Sequence, residues 1–221
     1  MMTLRERPRR GPIRREQIAA AALTVLLDRG YAGTSIRAIA EQAGCSLETL
    51  YRHFENKESL FLELVNSLRQ RIVEPLRHAA ASPLTGRDLK EALTHAGTLL
   101  FDVLTSDEGL KMQRLTFAES GRFPQLGRLV YDEGIRHFDN AVATILSDAA
   151  ARGLLQCPDP HEAARIFSGM ILFDPRERLL LGIEQPQSRG DRSDYIERVT
   201  TLFLTGNRSS TTTTTPAETS Q

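Results

Sequence analysis

The segment from Thr34 to Lys57 constrains the fold of this chain more than any other part of the sequence. It reads TSIRAIAEQAGCSLETLYRHFENK. Thr34 or Ser35 is a candidate N-cap, whose hydroxyl accepts a free backbone N–H, for a helix with apolar residues at helical spacing. Gly44 ends this helix, because glycine takes the left-handed conformation without strain. The apolar residues are Ile36, Ile39, Ala40 and Ala43.

A second short helix follows the glycine turn. Ser46 is its candidate cap, Leu50 and Phe54 form its inward stripe, and Asn56 caps the helix after it. Helix, turn and short helix within about two dozen residues predict a helix-turn-helix. The residues that point away from the stripe are free to meet a DNA major groove. They are Leu47, Glu48, Thr49, Arg52 and His53.

A longer set of motifs surrounds this segment. It comprises a preceding helix over 15–29, Gly30-Tyr31-x-Gly33-Thr34-Ser35, Ile39-Ala40-x-x-Ala43-Gly44-x-Ser46, Thr49-Leu50-Tyr51-x-His53-Phe54 and Asn56-Lys57-Glu58-x-Leu60. The run from Arg14 to Phe61 that contains these motifs resembles the DNA-binding domain of the TetR family of bacterial transcriptional regulators. The resemblance implies a DNA-binding role for several of its residues.

The resemblance assigns these roles position by position. Thr34, Tyr51, His53 and Lys57 would contact phosphate, Arg37 would reach the backbone or a base edge, and Ser46 and Thr49 would lie against DNA. Each residue type suits its role, because hydroxyl and imidazole groups donate to phosphate oxygens and lysine supplies a point charge.

Two positions depart from the family pattern. Relatives often carry a lysine and a small residue after the capping serine, whereas this chain has Leu47 and Glu48. Leu47 can contact a thymine methyl group, and Glu48 can accept from a cytosine amino group but also repels phosphate. We therefore expect an operator sequence that differs from those of better-known relatives.

Taken singly, several of these residues also have ordinary structural interpretations. Thr34 and Ser46 are capping types in any helical protein, Tyr51 suits a half-buried aromatic position, and Arg52 and Lys57 suit a solvated surface. The joint pattern, rather than any one residue, favours DNA binding.

Charge is distributed unevenly along the chain. The 221 residues have a formal net charge of zero, but residues 1–57 hold ten Lys and Arg against six Asp and Glu. A basic N-terminal part suits a polyanionic partner, and residues 1–13 are expected to form a flexible basic arm. A merely solubilising arm is the alternative. We predict a helix-turn-helix domain over 14–60, a helical ligand-binding and dimerisation domain over 61–206 and a disordered Thr-rich tail over 207–221.

The sequence also argues against several other classes of protein. No apolar run follows the N-terminal charges as in a secretory signal, and none approaches the length of a membrane span. Cys45 and Cys157 are the two cysteines and lack metal-ligand spacing, so we expect no cofactor and no metal. Cys45 is expected to fill a small apolar slot, with an oxidation sensor as the alternative. A cytoplasmic protein is expected.

The remainder of the chain predicts an all-α fold. No alternating strand pattern is present, and Pro75 is expected to kink or end the helix that starts near Lys57. Asp159-Pro160 followed by Glu162 marks a capped helix start. The further helices are expected over 86–104, 108–120, 124–152, 159–182 and 193–204. Residues 113–204 resemble the C-terminal domains of the AefR-like branch of the family.

That resemblance implies a homodimer and a pocket for a small-molecule effector. The last two long helices would pair with those of a second copy, which suits a two-fold operator read in successive major grooves. The candidate ligand-binding residues are Phe101, Arg114, Phe117, Phe138 and Phe173, with His95, Met112, Glu119 and Tyr131 as further polar or aromatic groups. Taken singly, each residue fits an ordinary core or surface role better than a ligand-binding one.

The sequence can be compared with three classes of function. The favoured one is a ligand-responsive regulator, usually a repressor, that binds a palindromic operator as a homodimer. An architectural DNA-binding protein without an effector is the alternative. A helical enzyme finds little support, because the sequence has no clustered carboxylates, nucleophile elbow, zinc-protease motif or phosphate-binding glycine loop.

Overall fold

The chain divides into two compact units. The computed structural model describes residues 15–79, 86–183 and 189–207. Among these, one unit comprises residues 15–71 and 106–137, and the other comprises 72–79, 86–105, 138–183 and 189–207. We call them the N-terminal unit and the C-terminal unit. The predicted basic arm over 1–13 and residues 208–221 of the predicted tail lie outside the described residues.

The described residues form helices and connecting turns, without a strand, as the all-α prediction requires. The helices are α1 (Arg15–Gly33), α2 (Ile36–Ala43), α3 (Leu47–His53), α4 (Lys57–Ala79), α5 (Gly86–Leu104), α6 (Asp107–Ser120), α7 (Pro124–Leu129), α8 (Arg136–Ala151), α9 (Pro160–Leu180) and α10 (Arg189–Gly206). A π-helical turn, Val130–Ile135, joins α7 to α8.

Side-chain caps set several of these boundaries. Asn56 Oδ1 accepts the N–H of Ser59 at 2.8 Å, and Ser59 Oγ accepts the N–H of Asn56 at 3.2 Å, so α4 begins with a reciprocal cap. At the start of α9, Asp159 Oδ1 accepts the N–H groups of His161 and Glu162 at 2.9 and 3.0 Å. These hydrogen bonds satisfy backbone donors that have no helical partner. Both predicted helix starts are confirmed.

Two expectations about helix continuity need correction. Pro75 does not end its helix, because α4 runs on to Ala79, whereas the alternative, a kink at Pro75, stays a prediction. The single helix expected over 124–152 is divided by the π-helical turn. That turn buries no side chain, so no apolar stripe holds its residues to the ordinary helical period.

The N-terminal unit contains a small core shared by α1, α2, α3 and the start of α4. Its buried members are Ile18, Ala22, Val25, Ala38, Ile39, Ala40, Leu50, Phe54 and Leu60. Because α2 and α3 are too short to be stable in isolation, this core is what holds the helix-turn-helix together.

In the C-terminal unit, α5, α9 and α10 pack closely around Gly97. A Cβ atom at this position would lie 2.9 Å from Ile171 Cδ1 and 3.1 Å from Ile196 Cγ2. A larger residue at position 97 would therefore require the Ile171 and Ile196 side chains to shift. Phe167 and Phe203 extend the contact between α9 and α10, with ring centroids 5.2 Å apart in an edge-on arrangement.

Candidate nucleic-acid interface

The connection between α2 and α3 is built as the sequence predicts. Ser35 Oγ accepts the N–H of Ala38 at 3.1 Å, so Ser35 rather than Thr34 caps α2. Gly44 closes the helix in the left-handed region, with φ 69° and ψ 34°. A side chain at this position would be strained, because L-residues rarely adopt this conformation. Gly44 thereby sets the angle at which α3 leaves α2.

Ser46 begins α3 and presents its outer face. Its Oγ accepts the N–H of Thr49 at 3.0 Å and lies 2.9 Å from Thr49 Oγ1. Leu50 and Phe54 point into the core, which turns the intervening residues outward. Glu48 in the first turn and Arg52 and His53 in the last turn complement the helix dipole. α3 is therefore a capped helix that is anchored on one side and exposed on the other.

The ten predicted DNA-binding residues differ in exposure. The exposed ones are Arg37, Ser46, Glu48, Tyr51 and Arg52; the half-buried ones are Leu47, Thr49, His53 and Lys57; Thr34 is buried. Nine of the ten thus retain surface through which DNA can be contacted. Exposure does not by itself identify a DNA contact, so the DNA-binding role of each of these residues stays a prediction.

Thr34 is the residue whose surroundings differ most from its predicted role. It is 4% exposed, and its hydroxyl lies 2.7 Å from the carbonyl oxygen of Gly30 and 3.3 Å from that of Val25. The single proton of the Thr34 hydroxyl is therefore donated to a backbone carbonyl group of α1. A phosphate contact from the Thr34 hydroxyl would require this arrangement to change.

Leu47 and Cys45 both pack against the core of the helix-turn-helix. This supports the apolar slot expected for Cys45, and burial raises the pKa of its thiol. Leu47 is half-buried, so only part of its side chain is available to a thymine methyl group. Glu48, by contrast, is exposed and is the more accessible of the two departures from the family pattern.

The Lys57 ammonium is held by the end of α1. It donates to the carbonyl oxygens of Tyr31 and Thr34, the latter at 3.0 Å, and lies 4.1 Å from the centroid of the Tyr31 ring. An ammonium group has three N–H donors, so one remains for a phosphate oxygen. Burial lowers the pKa of Lys57, and the negative charge of Glu119 partly opposes that shift.

Arg15 has a structural role that the sequence did not reveal. Its guanidinium group donates to Glu63 Oε2 and to the carbonyl oxygen of His53, both at 2.8 Å, and lies 4.3 Å from the centroid of the Phe54 ring. It therefore ties the start of α1 to the end of α3. Its place beside the arginines of the N-terminal arm had concealed this function, because the partners are distant in sequence.

The five candidate ligand-binding residues have unlike surroundings. Phe101 and Phe138 are buried in the C-terminal unit, where Phe173 is exposed. Arg114 and Phe117 are exposed on α6 in the N-terminal unit. Their assignment to an effector site stays a prediction.

An open groove of about 590 Å³ lies between α8 and α9, and other residues line it. They are Ala143, Thr144, Ser147, Asp148, Ala151, Pro160 and His161. In the described ranges, no cluster of three or more His, Cys, Asp and Glu side chains is placed to hold a metal ion. None of the described helices combines the length and apolar character needed to cross a membrane.

A short recognition helix mounted on a compact three-helix core defines a helix-turn-helix DNA-binding protein. Residues 18–64 match the family described as bacterial regulatory proteins, tetR family, and residues 91–206 match the AefR-like transcriptional repressor, C-terminal domain. The chain belongs to the TetR family of transcriptional regulators. The members of this family are regulators rather than enzymes, and they bind DNA and act as dimers.

Individual relatives agree over most of the chain. The uncharacterised HTH-type transcriptional regulator YvkB of Bacillus subtilis is 28% identical over 199 residues, which cover 86% of this chain and 95% of YvkB. The crystal structure of a TetR-family regulator from Mesorhizobium loti is 30% identical, with a TM-score of 0.72, and covers 88% of this chain and 96% of its own. The flavonoid-responsive regulator FrrA is 29% identical, with a TM-score of 0.69 and the same coverage.

Proposed function

We propose that this chain is a ligand-responsive repressor that binds a palindromic operator as a homodimer in the cytoplasm and leaves it when a small-molecule effector binds. The observation that carries the proposal is the outward face of α3. Ser46 and Thr49 begin this face, and Tyr51 and Arg52 continue it, while Leu50 and Phe54 anchor the helix from behind. The family match supports DNA binding.

An exposed apolar surface on the last two helices supports the homodimer. We call it the α9–α10 face; it comprises Ile166, Phe173 and Leu202, all more than half exposed, with Gly169 between the first two. Exposed apolar side chains at helical spacing mark interaction surfaces, and a small residue lets a second helix approach. In a two-fold dimer, this face would meet the same face of a second copy.

The effector is the least specified part of the proposal. The match to the AefR-like transcriptional repressor domain supports a repressor, and the similar protein FrrA is flavonoid-responsive. An effector releases DNA only if it binds the DNA-free conformation more tightly than the DNA-bound one. The proposal therefore requires a molecule that lowers operator affinity, without specifying its chemical class.

Selection of bound duplexes from a random-sequence DNA library tests operator recognition. The full chain is expected to enrich a discrete sequence with two related half-sites in inverted orientation, because each copy of α3 reads one half-site. Enrichment of no sequence at all would contradict the proposal. The selected duplex then serves as the probe for the variants below.

Tyr51 tests the predicted phosphate contacts. It is 55% exposed, so replacing it should not disturb the core. We expect Tyr51→Phe and Tyr51→Ala each to weaken binding to the selected duplex by a similar factor at every salt concentration, because the tyrosine hydroxyl is a neutral donor to phosphate and its loss releases no counterion. The measurement is a series of titrations at increasing salt concentration. Unchanged affinity in both variants would contradict the phosphate assignment.

Glu48 tests direct reading of bases. We expect Glu48→Gln to change the preferred base at one position in each half-site, because a carboxylate accepts from a cytosine amino group whereas an amide also donates. Repeating the library selection with the variant measures this preference. Glu41→Gln, an exposed carboxylate lost from α2, is the matched control and should leave the selected sequence unchanged. An unchanged selection for Glu48→Gln would contradict the base contact.

A further inference from the structure

The end of α1 contains an interruption of the helical path, and a side chain from outside the helix-turn-helix accepts the backbone N–H next to it. Gly30 has φ 67° and ψ 172°, a conformation that is essentially restricted to glycine, and the helical path is interrupted there. The N–H of Tyr31, the next residue, donates to Oε1 of Glu119 at 2.9 Å. Glu119 lies on α6, which belongs to the same compact unit. A side chain 88 positions away therefore satisfies the backbone donor at the break.

The residues around this hydrogen bond leave little free space. A Cβ atom added to Gly30 would lie 2.5 Å from Glu119 Oε1, so the carboxylate occupies the space that any larger residue would need. The Tyr31 ring is buried beside it, with its centroid 4.9 Å from that of Phe123 and 6.2 Å from that of Phe61. Burial raises the pKa of Tyr31, with the nearby charge of Glu58 as the second cause.

The carbonyl group of Tyr31 also has a hydrogen-bond partner. Lys57 donates to the carbonyl oxygens of Tyr31 and Thr34 and lies over the Tyr31 ring. Glu119 thus binds the N–H group of Tyr31, and Lys57 binds the carbonyl group of the same residue. Lys57 is also the first residue of α4 and a predicted phosphate contact. The position of its ammonium group depends on a loop that Glu119 fixes.

We infer that Glu119 is a positioning residue for DNA recognition, which fixes the connection from α1 to α2 and, through Tyr31, the place of the Lys57 ammonium. This role rests on the operator binding proposed above. α2 begins at Ile36, five residues after Tyr31, and α3 packs on α2. A displaced connection therefore shifts the elements that meet DNA, although Glu119 itself lies outside them.

Replacing Glu119 by alanine or by glutamine distinguishes the effect of its hydrogen bond on DNA affinity from the effect of its charge. Glu119→Ala removes the acceptor, and its affinity for the selected duplex should fall by about tenfold relative to random-sequence DNA, since a partly buried donor loses its partner and the connection from α1 to α2 is no longer fixed. Glu119→Gln keeps an acceptor oxygen and should bind like the wild type. Loss of a negative charge by itself favours binding to DNA, so a general charge effect would act in the opposite direction.

Glu108→Ala is the matched control. Glu108 lies on the same helix and forms an exposed ion pair with Arg71 at 2.9 Å. Glu108→Ala also removes one carboxylate from α6, but it leaves the hydrogen bond to Tyr31 in place. DNA affinity should therefore not decrease. Equal losses in Glu119→Ala and Glu108→Ala would overturn the positioning role. Equal losses in Glu119→Ala and Glu119→Gln would also overturn it, because glutamine retains the acceptor.

Hydrogen exchange at the Tyr31 amide tests the contact without DNA. Exchange in Glu119→Ala should be at least about tenfold faster than in the wild type, while amides of α8 keep their rates, because only local protection is lost. If the alanine variant does not fold, Glu119→Leu, which keeps the side-chain volume, provides the same comparison. An unchanged rate would overturn the contact.

Faster exchange with unchanged operator affinity would overturn the role in recognition while leaving the contact in place. A wild-type chain that selects no DNA sequence would contradict the proposed function itself, and the positioning role with it. The Tyr31 exchange rate distinguishes these failures, because it does not depend on DNA.

Discussion

Replacing Phe54 by alanine is expected to lower the free energy of unfolding of the helix-turn-helix by about 3–5 kcal/mol, as for other large core truncations. The side chain is 2% exposed and belongs to the core shared by α1, α2, α3 and the start of α4. The change also removes the ring beneath the Arg15 guanidinium group. Urea denaturation followed by far-ultraviolet circular dichroism measures this loss, and binding to the selected duplex should disappear with it.

Phe117→Ala is the control for this prediction. It removes the same side chain from α6, where the ring is 63% exposed, and should change the free energy of unfolding by no more than about 0.5 kcal/mol. Equal effects of the two variants would contradict the burial of Phe54 in a stabilising core. Retained DNA binding by Phe54→Ala would contradict the dependence of α3 on that core.

Replacing Phe173 by glutamate is expected to convert the proposed homodimer into a monomer and to weaken binding to the selected duplex by about a hundredfold or more. Phe173 is 69% exposed and belongs to the α9–α10 face, where a charge would be buried without a partner between two copies. Two linked reading heads gain about 10²–10⁴ in affinity over one, and a monomer loses that gain. Sedimentation measures the first effect and a DNA titration the second.

The matched control places the same charge on another exposed aromatic residue. Tyr131→Glu, in the π-helical turn, should leave both the molecular mass in solution and the DNA affinity unchanged. A dimeric Phe173→Glu protein would show that the copies associate through another surface. A monomeric variant with full affinity for the two-fold duplex would show that dimerisation is not needed to read it.

The parts of the fold that depend on local sequence could be predicted from it. The caps at Ser46, Asn56 and Asp159 and the left-handed Gly44 each involve residues within a few positions of one another. The physical cause of each boundary therefore lies in the sequence nearby. The same reasoning placed α5 at its observed bounds, Gly86–Leu104.

The features that were missed depend on distant residues. Glu119 was interpreted as a possible ligand-binding residue, yet its carboxylate accepts from Tyr31, and neither residue gives a local sign of the other. Arg15 bonds to Glu63 and His53 in the same way. The π-helical turn was missed for a different reason, since an apolar pattern does not distinguish one added residue from a continuous helix.

The outward face of α3 could be predicted because its residues occupy one short stretch of chain, in which helix period and caps determine what faces outward; the DNA contacts themselves stay predictions. The candidate effector site could not, because its residues come from helices whose mutual positions the sequence leaves open. Phe101 and Phe173 illustrate the difficulty. Both are aromatic residues on amphipathic helices of the C-terminal unit, but one is buried and the other is exposed.

Footprinting of the full chain on a long DNA that contains the selected sequence tests the central claim most directly. A dimeric regulator that reads DNA through α3 should protect one discrete segment with two-fold symmetry, its half-site centres about 10 base pairs or a multiple of that apart. Protection should appear at the same concentration across both half-sites. Diffuse protection along the whole DNA would contradict the claim and would identify an architectural DNA-binding protein instead.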